Sequence, residues 1–333
     1  MTTSDDQVDF DAAVSALTTA RSVTVVCHVQ PDADTVGSGL ALALVLHRRG
    51  VPVRVSFADP AELPVSMRAL PGVRHLVAPA DVPREVDVLV AVDCGSAGRL
   101  GALADRLDGA ATTIVVDHHR SNTGFGTINL VDPNAESTTS VLAGLFEVWG
   151  EPIDRDIAHC LYAGLVTDTG SFRWVRPGTH RLAERLLSTG IDGAEITRTL
   201  MDTHPFGWLP MLSRVLGTAR LEPRAHGGIG VVYALVRRED VEGLRSEEIE
   251  SVIDIVRTTS EAGVAAVFKQ SRVVDDRWTV SLRSRDSVPG AQDGVDVSAV
   301  ATSLGGGGHR FAAGYTTHGC AEDVVAALLA ALG

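Results

Sequence analysis

Three short runs rich in valine and isoleucine each end in a histidine or an aspartate. Such runs predict buried strands of a parallel sheet, and ligand sites in open α/β sheets lie outside the carboxyl ends of the strands. We therefore expect these polar side chains to meet at one edge of a sheet, where they could bind metal. The runs are residues 23–27, followed by His28; residues 86–92, followed by Asp93; and residues 112–116, followed by Asp117, His118 and His119.

More candidate ligands follow in a loop and at a helix end. Asp32 and Asp34 come just after His28, before a predicted helix, and Asp168 follows a helical pattern at 156–166. Each alone is also explained without a metal, because aspartate favours helix caps and turns and can bond to the backbone. Side by side, His118 and His119 could equally be a satisfied pair at the end of a strand.

The combination favours a metal site. Gathered carboxylates repel one another and are costly to bury, and divalent cations remove that conflict. Several aspartates with two histidines suit Mn²⁺ or a similar metal, and two metals sharing a carboxylate can activate water and hold a phosphorus centre for in-line displacement. The six candidates are His28, Asp32, Asp34, Asp93, His118 and Asp168.

The composition limits the class of protein. At 333 residues, two domains are expected, and the formal charge of −13 argues against a binding surface for long duplex nucleic acid. The four cysteines form no C-x-x-C pair and are read as reduced thiols. Without an apolar signal region or a run of about 18 apolar residues, we expect a cytoplasmic protein with no membrane partner.

Strand and helix patterns predict an α/β fold with a doubly wound, mainly parallel sheet, followed by a smaller α/β domain. Residues 138–216 are mostly helical. In the second domain the pattern predicts a turn or loop at Gly305–Gly308 between two helices. The predicted elements are helices at 7–20, 37–49, 156–166, 298–304 and 322–332, and strands at 22–28, 51–57, 228–233, 262–268 and 278–282, besides the two runs that end at Asp93 and His119.

The glycines allow two interpretations. Successive backbone N–H groups of such a loop can form an anion-binding concavity, or the loop can be a simple turn. His309 and Arg310, which follow directly, favour a phosphate or nucleotide site. Arg283, at the end of a predicted strand, suits phosphate recognition or base stacking, although it could equally be a solvent-facing edge residue.

Together these motifs resemble those of the DHH phosphoesterases with their associated DHHA1 domain. The resemblance covers nearly the whole chain and is greatest to the branch of nanoRNases and pAp phosphatases, which also includes phosphodiesterases of cyclic di-AMP and its linear product pApA. It implies a DHH catalytic domain at 1–190, a helical linker at 191–224 and a DHHA1 substrate-binding domain at 225–333, across a cleft. The matching motifs are His28-x-x-x-Asp32-x-Asp34, Asp93, Asp117-His118-His119, Asp168 and Gly305-Gly306-Gly307-Gly308-His309.

By this resemblance two Mn²⁺ ions, or other divalent metals, are bound with Asp93 bridging them, and a metal-bridging hydroxide is the nucleophile. Asp117 orients a histidine, and His119 faces the substrate phosphate and helps to protonate the leaving oxygen. The implied substrates are short nucleotides, namely pApA and other nanoRNAs, cyclic di-AMP and pAp, and the implied assembly is a homodimer. The implied ligands are His28, Asp32 and Asp93 for one metal and Asp34, Asp93, His118 and Asp168 for the other; the implied substrate-binding residues are His119, Arg283, Ser284, Gly306, Gly307, Gly308, His309 and Arg310.

Other functions remain open at this point. An inorganic pyrophosphatase would share much of the ligand set, but the glycine-rich motif and Arg283, in place of a lysine-rich clamp, count against it. A recombination exonuclease is disfavoured by the short, acidic chain. A non-catalytic nucleotide sensor would normally lack a metal ligand, and none is missing.

Overall fold

The computed structural model describes residues 10–60, 62–285 and 294–333, and of His309 it describes the backbone alone. The chain separates into two compact units, Met1–Thr203 and His204–Gly333, and each has its own sheet. The helix predicted at 7–20 is observed at Asp11–Thr19 with Phe10 as its N-cap, and residues 7–9 of that prediction lie outside the described part. No helix in the described ranges has the length and apolar character needed to span a bilayer.

The first unit is built on a five-stranded sheet in the order β2-β1-β3-β4-β5. All four pairings are parallel, which confirms the predicted α/β fold. The three central strands are rich in β-branched residues and mostly buried on both faces, as parallel sheets are when covered from both sides. They are β1 (Val23–Cys27), β2 (Val53–Ser56), β3 (Val86–Val92), β4 (Ala110–Asp117) and β5 (Ile128–Val131).

Helices cover one face of this sheet, and short 3₁₀ segments containing the buried Leu100 and Leu103 cover the other. The second helix is buried on all sides from Ala33 to Leu46, as expected for a helix inside a layered core. The helices of the unit are α1 (Asp11–Thr19), α2 (Ala33–Arg48), α3 (Thr138–Trp149), α4 (Arg155–Asp168), α5 (Thr179–Leu187) and α6 (Gly193–Met201).

Helices α2 and α4 approach closely because two glycines lie at their contact. A Cβ on Gly37 would come 2.5 Å from the carbonyl oxygen of Cys160, and a Cβ on Gly164 would come 2.4 Å from Oδ1 of Asp34. Any side chain at these positions would force the helices apart. The glycines therefore allow the close packing that places Asp34 of α2 directly against α4.

The second unit has a six-stranded mixed sheet in the order β10-β11-β9-β8-β7-β6, in which only β7 and β8 run parallel among the described pairings. Apolar clusters lie on both of its faces. Its elements are α7 (Trp208–Gly217), β6 (Arg220–Glu222), the distorted turn α8 (Ala225–Gly228), β7 (Val231–Val236), α9 (Ser246–Glu250), α10 (Val252–Val256), β8 (Val264–Gln270), β9 (Arg277–Ser284), α11 (Val297–Ser303), β10 (Gly307–His309), β11 (Ala312–His318) and α12 (Ala321–Leu332).

Two sequence predictions in this unit are wrong in detail. The strand expected from residue 228 begins at Val231, because Gly228 and Gly230 have φ angles of 92° and 82°, outside the range of a strand. The glycine segment is also not a simple turn. The N–H groups of Gly305 and Gly306 donate to carbonyls at the end of α11, and the next three residues form the edge strand β10.

Candidate metal centre

The six predicted ligands lie in one cluster. β1, β3 and β4 are neighbours in the sheet, so the residues that follow them meet at its carboxyl edge. In each of three groups, ligand atoms lie within 4.8 Å of one another. The groups are His28, Asp32 and Asp93; Asp34, His118 and Asp168; and Asp93, His118 and His119.

Asp93 stands between two histidines. Its Oδ2 lies 3.3 Å from Nε2 of His28, and its Oδ1 lies 3.6 Å from Nε2 of His118. Its φ angle of 59° is in the left-handed region that is uncommon for a residue with a side chain, and the Thr138 hydroxyl donates to Oδ1 at 3.0 Å. The strained backbone and this hydrogen bond hold one oxygen toward each histidine.

Asp32 takes part in both a helix cap and the cluster. Its Oδ1 accepts the N–H groups of Asp34 and Thr35, at 3.1 and 3.0 Å, at the start of α2. Its Oδ2 lies 3.4 Å from Nε2 of His28. The capping interpretation and the metal interpretation are therefore compatible for this residue.

His118 links Asp34 to Asp168. Its Nε2 lies 3.3 Å from Oδ2 of Asp168, the last residue of α4, and 3.9 Å from Oδ2 of Asp34. Its other nitrogen, Nδ1, lies 3.4 Å from the carbonyl oxygen of Ala135. That arrangement directs Nε2 toward the carboxylates, as in histidines that bind metal through one nitrogen and donate with the other.

Burial and mutual repulsion disfavour the ionised form of several carboxylates in the cluster. Burial and the charge of Asp93 raise the pKa of Asp34 to about 7. Burial and neighbouring Asp34 raise the pKa of Asp168 well above its usual range. Burial also opposes the charge on Asp93, but hydrogen bonding with His28 outweighs it and lowers the Asp93 pKa. Divalent cations would favour the ionised form of all three, and the oxygen and imidazole donors fit such cations.

The Asp117 carboxylate contacts the ring of His119, and it accepts only the backbone N–H of His118, at 2.9 Å. The fully buried Asp117 lies with Oδ1 2.6 Å from Nδ1 of His119, and its Oδ2 accepts from Nδ2 of Asn122 at 2.5 Å. Burial opposes a charged His119 ring, but the hydrogen bond to Asp117 raises its pKa. Neither Asn122 nor Thr138 was among the predicted site residues, since asparagine in a turn and threonine at a helix start are ordinary local signals.

In the second unit, strand register aligns two of the predicted substrate residues. Arg283 of β9 is opposite Ala312 of β11, which is opposite His309 of β10. Because adjacent strands lie about 4.8 Å apart, the two backbones are separated by roughly 10 Å. Burial lowers the pKa of the Arg283 guanidinium, and the nearby Asp254 opposes this effect. The side chain of His309 lies outside the described part of the chain.

The other predicted substrate residues differ in availability. The Ser284 hydroxyl donates to the carbonyl of Val295 at 2.6 Å, so it already has a structural partner. A Cβ on Gly306 would come 2.1 Å from the carbonyl oxygen of Gly314, so this glycine is required by packing within the unit. Arg310 is exposed, with its guanidinium 5.4 Å from the ring centroid of Phe311.

Comparisons with known proteins agree with these motifs. Residues 22–165 match the DHH family, N-terminal domain, and residues 228–333 match the DHHA1 domain. The bifunctional oligoribonuclease and PAP phosphatase NrnA of Thermus thermophilus is 31% identical over 303 residues, which are 90% of this chain and 86% of that protein. The cyclic-di-AMP phosphodiesterase PdeA of Listeria monocytogenes is 26% identical over 316 residues, covering 88% of this chain and 44% of that protein.

One solved structure shows the same fold. The crystal structure of an exopolyphosphatase-related protein from Bacteroides fragilis matches with a TM-score of 0.85 at 22% identity. The match covers 97% of this chain and 95% of that one. At this identity the likeness concerns the fold alone.

Proposed function

The chain belongs to the DHH/DHHA1 family of phosphoesterases, and from this membership we propose that it is a two-metal enzyme that hydrolyses short nucleotides to mononucleotides. The position of Asp93 is the observation that carries the proposal, because its two oxygens face the two histidines His28 and His118. The candidate substrates are pApA and other nanoRNAs, cyclic di-AMP and pAp, since the named relatives are an oligoribonuclease and PAP phosphatase and a cyclic-di-AMP phosphodiesterase.

The proposed ligands divide into two sets that share Asp93. In one set the carboxylates lie around Nε2 of His28, and in the other they lie around Nε2 of His118. Manganese is the proposed metal because the donors are carboxylates and imidazoles without a thiolate. Bound divalent cations would supply activated water and offset the charge of the phosphate. The two sets are His28, Asp32 and Asp93, and Asp34, Asp93, His118 and Asp168.

His119 is the proposed proton donor to the leaving oxygen. Its Nδ1 is engaged by Asp117 at 2.6 Å, so Nε2 is the atom that would hold the transferable proton. Asn122 donates to the other oxygen of Asp117 and thereby fixes the carboxylate that orients the ring. Asp117 and Asn122 position His119 without themselves needing to touch the substrate.

The second unit is proposed to bind one nucleotide. Arg283, His309 and Arg310 are the side chains suited to a phosphate or a base, and Gly306, Gly307 and Gly308 keep the adjoining backbone free of side chains. The net charge of −13 disfavours long duplexes as substrates. A homodimer remains the proposed assembly, and light scattering on the purified protein would test it.

A substrate panel tests the proposal. Initial rates with Mn²⁺ would be compared for pApA, longer oligoribonucleotides, cyclic di-AMP, pAp and pyrophosphate, with chelator-treated protein as the control. We expect metal-dependent release of AMP from one or more of the nucleotides and slow turnover of pyrophosphate. Preferred hydrolysis of pyrophosphate would favour the pyrophosphatase alternative, and nucleotide binding without any turnover would favour the sensor.

A further inference from the structure

Arg99 lies beside a proposed metal ligand. Its Nη2 is 3.0 Å from Nδ1 of His28. Arg99 belongs to the 3₁₀ segment Ala97–Arg106 that follows β3, and the residue is exposed. A guanidinium at the border between solvent and the carboxylate cluster is therefore accessible to a ligand.

The backbone that carries Arg99 is held firmly against the loop after β1. The N–H of Val29 donates to the carbonyl of Arg99 at 2.8 Å, and Leu100 is fully buried. Gly101 has a φ of 58°, and a Cβ there would come 2.5 Å from Cγ1 of Val29. This packing keeps Arg99 next to His28.

Arg99 forms no ion pair in the described ranges, although two carboxylates contact the same histidine. Asp32 and Asp93 lie 3.4 and 3.3 Å from Nε2 of His28, on the opposite side of the ring from Nδ1. Other arginines of this unit, such as Arg48 and Arg106, are paired with acids. The side-chain contact that the structure gives Arg99 is the one with Nδ1 of His28.

That nitrogen cannot serve two partners at once. Nδ1 of His28 also lies 2.8 Å from the carbonyl oxygen of Val29, and a ring nitrogen either donates or accepts. When Nε2 is left free to bind a cation, Nδ1 carries the ring proton and donates a hydrogen bond to the carbonyl oxygen of Val29. Arg99 then has no acceptor on His28, and its N–H donors are available to another group.

We propose that Arg99 binds the non-bridging oxygens of the substrate phosphate at the catalytic unit. The inference rests on the proposed function, and it adds a phosphate contact that lies in the first unit rather than in the DHHA1 domain. Arginine suits this role because its planar fork of donors matches two phosphate oxygens.

The test separates phosphate binding from support of His28. Binding of AMP and of adenosine to Mn²⁺-loaded protein would be measured by calorimetry for wild type, Arg99→Gln and Arg99→Lys, with bound metal measured by elemental analysis. Arg21→Gln is the charge-matched control, since Arg21 precedes β1 at the other end of the sheet and pairs with Asp87. We expect AMP affinity to fall about 10- to 100-fold in Arg99→Gln, as for loss of hydrogen bonds to a charged group.

The expected pattern also has unchanged adenosine affinity, unchanged metal content, partial retention in Arg99→Lys and wild-type behaviour in Arg21→Gln. Unchanged AMP affinity in Arg99→Gln would overturn the inference, and so would a loss of metal that parallels the loss of AMP binding. Turnover of pApA by wild type is measured separately. Failure of that turnover would contradict the proposed function, while the difference between AMP and adenosine would still decide the role of Arg99.

Discussion

The backbone N–H of Thr138 donates to Oδ2 of Asp34 at 2.7 Å, so a carboxylate from the first turn of α2 closes the N-terminus of α3. The next N–H, that of Thr139, donates to Oδ1 at 3.0 Å. The partial positive charge of a helix N-terminus offsets part of the negative charge of the carboxylate. Asp34 therefore belongs to the carboxylate cluster and also holds α3 against α2.

Gly164→Ala is expected to displace Asp34 and impair the cluster. The new methyl group would meet Oδ1 of Asp34 at 2.4 Å and the Thr139 side chain at 2.6 Å. We expect the affinity for Mn²⁺ and the turnover of pApA each to fall about 10- to 100-fold, which is the range for mutations of residues that hold metal ligands in place. Gly217→Ala is the control, because a Cβ there meets nothing within 4 Å. Metal binding equal to that of the control would contradict the close contact between Gly164 and Asp34.

Asp117→Asn is expected to change the pH dependence of turnover. Asp117 raises the pKa of His119 despite its burial, so the variant should have a lower His119 pKa. If the protonated ring donates to the leaving oxygen, activity falls as pH rises through that pKa. The falling limb of the pH profile for kcat should therefore move to lower pH, and the maximum rate should drop about 10- to 100-fold. A limb at the wild-type pH would assign His119 to phosphate contact alone.

Glu151→Gln is expected to destabilise the first unit at neutral pH. Burial works against the charge of Glu151, but hydrogen bonds from Arg48 and Arg49, at the end of α2, lower its pKa below the ordinary 4.5. Its stabilising contribution is therefore present above pH 4.5 and is lost as pH falls through the lowered pKa. We expect a loss of about 1 kcal/mol at pH 7, measured by urea unfolding.

The pH series and a control complete that test. The difference between Glu151→Gln and wild type should shrink below pH 4.5. Glu147→Gln, which breaks the more exposed pair with Arg185, should change stability by less than about 0.5 kcal/mol. Equal effects of the two substitutions would show that Arg48 and Arg49 do not stabilise the ionised form of Glu151.

The sequence allowed the main features of the site to be predicted because local patterns and chemistry agreed. Runs of β-branched residues predicted β1, β3 and β4, and the strand-end rule placed His28, Asp93 and His118 together. The short strand β5 and the strand β11 were missed. Ile128–Val131 has too few residues to show a period, and Ala312–His318 begins with small residues of low strand propensity.

Contacts between distant residues could not be predicted. Thr138 reaches Asp93 over 45 positions and Asp34 through its backbone, because the start of α3 lies against both the first turn of α2 and the end of β3. Arg99 is similar, because nothing near residue 28 in the sequence indicates a guanidinium beside its ring. Such contacts depend on the three-dimensional arrangement of elements rather than on a local pattern.

Bound metal and pApA turnover of Asp93→Asn, measured on the same preparation, test the central claim that one carboxylate serves two cations. The substitution keeps the size of the side chain and removes its charge. Asp87→Asn, which affects a surface pair with Arg21, is the control. We predict that Asp93→Asn binds fewer than two Mn²⁺ per chain and loses more than about 100-fold in turnover, beyond the range for residues that only support ligands. Two bound Mn²⁺ with turnover equal to that of Asp87→Asn would contradict the account.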